Sequence, residues 1–116
     1  MRKKAEVLMP KFLLQVTFNQ EAAKRLIEDG GTKRAAAVQE LLKQDARLES
    51  LYFSPQNDGP DAFAIVEMPA GGADALGVIA LAGRTAGITL TARRLFTPEE
   101  LDKLAAKSKS IPVPGK

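Results

Sequence analysis

The chain has 116 residues, 45% of them hydrophobic and 27% charged, which fits one globular domain, since domains commonly run to roughly 100–150 residues. It contains no Cys, His or Trp. Thiol chemistry, disulfides, zinc knuckles, haem held by His or Cys, and every triad built on an imidazole or thiol are therefore excluded together. The net charge is +3, but Arg2, Lys3, Lys4 and Glu6 already contribute +2 of it before Met9. Lys103, Lys107, Lys109 and Lys116 gather at the other end, so the body between is close to neutral. A dispersed charge with one Tyr and five Phe for base stacking speaks against nucleic acid as a partner.

Residues 1–8 read as a disordered basic leader or start-site extension. Val7, Leu8 and Met9 run straight into Pro10 and Lys11, which is too short for the apolar stretch of a secretion signal. The apolar run from Gly71 to Gly83 is broken by Asp74 and falls short of the roughly 20 residues of a membrane span. A soluble, cytoplasmic protein without a membrane partner is expected.

Phe12, Leu14, Val16 and Phe18 alternate with Leu13, Gln15 and Thr17, the two-residue period of a first strand. Asn19 then caps a short helix through Ile27, with Glu21 in its first turn. Gly30 and Gly31 stop it, and Thr32 caps a second helix. Its stripe is Ala35, Val38, Leu41, Leu42 and Ala46, while Lys33, Arg34, Gln39, Glu40 and Lys43 mostly face water. Leu48 to Ser54 predicts a strand, the turn-rich segment from Ser54 to Pro60 a hairpin loop, and Asp61 to Met68 the return strand. Ala73 to Ala86 has a helical period and is apolar almost all round. Its small residues Ala75, Gly77, Ala80, Ala82 and Gly83 predict close backbone approach and burial on more than one side. Thr89 to Phe96 is the fourth strand. Thr97, Pro98, Glu99 and Glu100 supply a cap, a first-turn proline and acidic residues at the positive end of a helix dipole, opening a last helix to about Lys107. From Ser108 to Lys116 an extended tail is expected.

This order is the split βαβ arrangement of the ferredoxin-like α+β fold, an antiparallel four-stranded sheet with helices on one face. The domain spans residues 9–107. Its other sheet face would present Leu13, Phe63 and Ile65 beside Gln15, Tyr52, Glu67, Thr91 and Arg93. Apolar groups so placed mark a contact surface, and a homodimer with sheets face to face covers it.

Four stretches carry a resemblance: Met9-Pro10-Lys11-Phe12-Leu13, Gly30-Gly31-Thr32-Lys33-Arg34, Leu48-Glu49-Ser50-Leu51-Tyr52-Phe53 and Leu95-Phe96-Thr97-Pro98-Glu99-Glu100. In order and spacing they resemble the GYD-domain family, across nearly all of residues 9–116. The resemblance implies a dimeric α/β barrel and carries no activity or substrate. The Gly-Tyr-Asp signature stands here as Gly59-Pro60-Asp61, so a role for its tyrosine does not transfer.

Two residue sets are candidate sites. Gly30, Gly31, Thr32, Lys33 and Arg34 join flexible backbone, a helix start and two cations, a composition that holds phosphate or carboxylate; ordinary helix stop and start signals are the simpler account. Tyr52, Glu67 and Arg93 on the open sheet face would offer a phenol, a carboxylate and an anion clamp to a small-molecule ligand. The alternative is an ion pair of Glu67 with Arg93 at a dimer seam. Asp58 and Asp61 supply too few oxygens for calcium and read as a turn. No metal or cofactor is expected. The functional expectation is a non-catalytic, ligand-sensing or binding dimer, and the alternative is a cofactor-independent enzyme acting on a small organic molecule in the barrel cavity through Tyr52, Glu67 and Arg93.

Overall fold

The computed structural model describes residues 9–42, 46–56, 58–69 and 73–112; the leader 1–8, the predicted helix end at 43–45 and the tail residues 113–116 lie outside the described residues. The elements are β1 (Lys11–Phe18), α1 (Gln20–Leu42), β2 (Arg47–Phe53), β3 (Ala62–Glu67), α2 (Ala73–Thr85), β4 (Ile88–Leu95) and α3 (Pro98–Ser108). All strand pairs are antiparallel, in the order β2-β3-β1-β4. This is an α+β fold with a ferredoxin-like strand order, as the sequence predicts.

The period-two pattern of β1 and β3 decides which face is covered. Leu14 pairs with Ala64 and Val16 with Ala62, and Ala62, Ala64, Val66 and Met68, which share that face, are all buried. Leu42, Leu14, Ala64, Val66 and Met68 form the core, with Phe12, Val38, Leu48, Leu51, Leu76, Ile79 and Leu90 packed around it. Val66 and Met68 are 0% exposed; burial of side chains this size contributes about 1.5–3 kcal/mol each.

Strand β2 carries a bulge. Leu48 pairs with Val66 but Ser50 pairs with Ile65, so the register slips by one residue between them. Strict alternation would put Leu48 and Leu51 on opposite faces; the extra residue brings both onto the core and leaves Tyr52, opposite Phe63, on the other face.

The two expected helices before β2 are one helical run broken at Gly30, whose φ of 82° and ψ of 168° no helix contains. Asn19 caps the run as predicted, accepting from the Ala22 N–H at 2.9 Å. At the hairpin, the Asp61 carboxylate accepts from the Phe18 N–H at 2.9 Å, while its backbone joins β1 and the end of β2 through Val16 and Ser54.

Two expectations, the burial of α2 and the extended tail, need correction, and α3 forms as expected. Helix α2 packs chiefly on β4, with Leu76 and Ile79 reaching the core, so Val78 and Leu81 are each 66% exposed instead of buried on several sides. Helix α3 has the full reciprocal cap, Thr97 with Glu100, yet no residue of it is buried among the described residues. Its stripe, Leu101 and Leu104, faces outward, and the radius of gyration of 17.2 Å exceeds the roughly 13 Å of a compact domain this long. The segment after Lys107 is not extended at its start: turn hydrogen bonds continue through Lys109, Ser110 and Ile111.

Candidate functional site

Among the described residues α1 rests on β1 and β2, α2 rests chiefly on β4, and the two helix backbones do not approach each other closely. The middle of the sheet is therefore roofed only at its sides. Between the helices lies a cleft of about 370 Å³, within the range of roughly 300–1,000 Å³ of small-molecule sites.

Small residues open it. The floor is Ala62 and Ala64 of β3, with Leu14 and Val16 of β1 beside them. Two residues along, the same face carries Val66 and, just past the end of β3, Met68, and there the core is filled. Ala37 on one wall, with Ala82, Gly83 and Ala86 on the other, withholds volume from the sides. Phe18, Phe53 and Ile88 stand at one end, where β1 and β2 finish and β4 begins.

One charged residue joins this lining, Arg34. It is half-buried on the apolar side of α1, contrary to the expectation that it faces water. The cause is local. The break at Gly30 restarts the helix at Gly31, and an added Cβ there would lie 3.5 Å from the Phe53 ring. Residues three and seven further on share that face, which places Arg34 and Val38 over the cleft. The Arg34 side chain makes no ion pair or hydrogen bond among the described residues. Lys33 turns the other way and pairs with Asp29 at 3.6 Å. The predicted anion set is thus divided: Gly30 is the break, Gly31 lies against Phe53, Thr32 and Lys33 are exposed, and Arg34 belongs to the cleft.

The open sheet face carries the second predicted set without bringing it together. Tyr52 lies on edge strand β2 and Arg93 on the opposite edge strand β4, with β3 and β1 between, a span of about 14 Å at roughly 4.8 Å per strand. Among the described residues Glu67 does not pair with Arg93. It accepts from Lys11 Nζ at 2.8 Å and pairs with Arg47 at 3.0 Å, and Lys11 also donates to Glu49, the residue the bulge adds. The hydrogen bonds that Lys11 donates to Glu49 and Glu67 raise its pKa. The hydrogen bond from Lys11 lowers that of Glu67, against an opposing effect of burial. Tyr52 is 72% exposed.

Neither a family model, a curated protein nor a solved structure matches this chain.

The cleft can hold a molecule, but its described walls offer no group to move a proton. The one charged side chain there is the Arg34 guanidinium, a planar set of hydrogen-bond donors with no acceptor, and the other lining side chains are hydrocarbon or absent. Among the described residues no group of His, Cys, Asp and Glu could hold a metal ion, and no helix is long and apolar enough to cross a membrane. Sequence reasoning missed the floor alanines. Their signal was present in Ala62-Phe63-Ala64: two small residues on the buried face of a strand otherwise built of larger ones.

Proposed function

We propose that the protein is a non-catalytic, ligand-sensing or binding module that takes a small apolar molecule into the cleft between α1 and α2. The observation that carries this reading is the coincidence of small residues on every side of one cavity, Ala37, Ala62, Ala64, Ala82 and Ala86. A region meant only as core would be filled to the density seen around Val66 and Met68.

Nile red, a neutral dye that brightens in apolar surroundings, tests it. The full chain should bind the dye with enhanced, blue-shifted emission. Ala82→Leu, on an exposed helix position that tolerates a larger side chain, should abolish the signal, as should Ala64→Leu on the floor. Unchanged dye binding in both variants, with folding verified by circular dichroism, would refute the cleft as the site.

The same proposal includes assembly. Two copies pair through their open sheet faces into a dimeric α/β barrel of the GYD type. The half-buried row of Leu13, Phe63 and Ile65, flanked by the Lys11–Glu67–Arg47 ion pairs, supports it, as does the order of the four resembling stretches along the sequence. Covering roughly 600–800 Å² per subunit is what a standard interface needs.

A further inference from the structure

We infer that the ligand of the cleft is an amphipathic monocarboxylate, its chain lying over the alanine floor and its carboxylate held by Arg34; this rests on the cleft being the binding site. The argument starts from an imbalance. The described walls are hydrocarbon apart from one guanidinium, so a bound molecule finds a single polar partner, and that partner is cationic. Arg34 is half-buried and lies on the helix face that carries Gly31 against Phe53 and Val38 against the core. The neighbouring cation, Lys33, is already engaged by Asp29, whereas Arg34 has no carboxylate beside it among the described residues.

A guanidinium next to apolar walls loses part of its hydration without compensation. A carboxylate replaces it best, because the planar fork presents two parallel N–H donors that match the two carboxylate oxygens. A polyanion would leave charge unpaired in the cleft, and a cation would be repelled. A volume of about 370 Å³ lies near the lower end for ligand sites, which selects a short-chain or single-ring acid over a large fused one.

The test is competition against Nile red on the full chain, using octanoate, octan-1-ol and octylamine, which share a chain and differ in head group. Octanoate should displace the dye at about tenfold lower concentration than octan-1-ol, the effect of one charge-assisted pair, and octylamine should be the weakest. Arg34→Gln should bring octanoate down to the level of octan-1-ol, so that the preference between the two head groups is lost. Arg34→Lys should restore only part of the preference, since an ammonium lacks the fork. If Nile red binds but octanoate and octan-1-ol compete equally, or Arg34→Gln weakens both alike, the carboxylate assignment is wrong while the cleft reading stands. If Nile red and octan-1-ol fail to bind at all, the cleft reading falls and this inference falls with it.

Discussion

Asn19 occupies the space that any side chain at residue 87 would need. Gly87 has a φ of 82°, and a Cβ built there would lie 2.8 Å from Asn19 Cγ, overlapping the amide that caps α1. The two residues are further joined by the Asn19 N–H donating to the Gly87 carbonyl at 2.8 Å. One contact thus ties the start of α1 to the turn entering β4, at the end of the cleft bounded by Ala86 and Ile88.

Gly87→Ala should therefore destabilise by about 2–3 kcal/mol, from a left-handed conformation costing roughly 1–2 kcal/mol and a displaced cap costing about 1 kcal/mol. Asn19→Ala alone should cost about 1 kcal/mol. The double variant should be more stable than the sum of the two implies, because removing the amide relieves the overlap. Urea unfolding with an unchanged m-value checks it; strict additivity would show that the two side chains do not compete for the same space.

Helix α3 yields a different kind of prediction. Its capping box is complete, with Glu100 N–H donating to Thr97 Oγ1 at 3.1 Å and Thr97 N–H to Glu100 Oε1 at 2.8 Å, but the helix buries nothing. Thr97→Ala should cost the helix about 1 kcal/mol and show as faster amide exchange from Leu101 to Ser108. The global unfolding midpoint should stay within experimental scatter. A lowered midpoint would reveal that α3 is docked in solution.

How far the sequence can be read depends on where the signal is local. Strand β1 is legible because one face must alternate, and the Thr97 cap because its chemistry spans four residues. The bulge in β2 is not, since an extra residue between Leu48 and Ser50 leaves the same letters with inverted parity. Arg34 is misread for a related reason: a cation on a helix looks solvated until Gly30 rotates the following turn onto Phe53. The cleft is the least legible feature. It arises from residues that do nothing individually, Ala37, Ala64 and Ala82, and exists only once three elements are placed.

Glu67 ties stability to acid. Its side chain is 16% exposed and pairs with Lys11 and Arg47, and its folded-state pKa is held below the ordinary 4.5 chiefly by the Lys11 hydrogen bond. A depressed carboxylate contributes stability that is fully present above the unfolded value and is lost as pH falls through the folded one. Glu67→Gln should thus cost no more than about 1 kcal/mol at neutral pH, with the gap to the parent chain closing only below pH 4.5. Lys11, whose pKa is raised, acts at the other limit: its contribution is present below the ordinary 10.5 and lost as pH rises through the folded value. A Glu67→Gln gap unchanged from pH 7 to pH 3 would mean that the carboxylate charge is not what the pairs depend on.

The proposed sheet-to-sheet dimer makes the sharpest demand on a single position. Ile65 stands in the middle of the open face, paired with Leu13 on one side and Ser50 on the other, and in a paired sheet it would lose its remaining contact with water. Ile65→Lys would bury an unpaired ammonium at such a seam, a cost of several kcal/mol per copy. In an isolated protomer the same lysine would reach solvent along its own stem and cost little. Sedimentation velocity at micromolar concentration should accordingly show a dimer for the parent chain and a folded monomer for Ile65→Lys. A parent chain that sediments as a monomer, or a variant that stays dimeric, would remove the open sheet face as the interface. The exposed stripes of α2 and α3, Val78 and Leu81 with Leu101 and Leu104, would then be the surfaces to alter next.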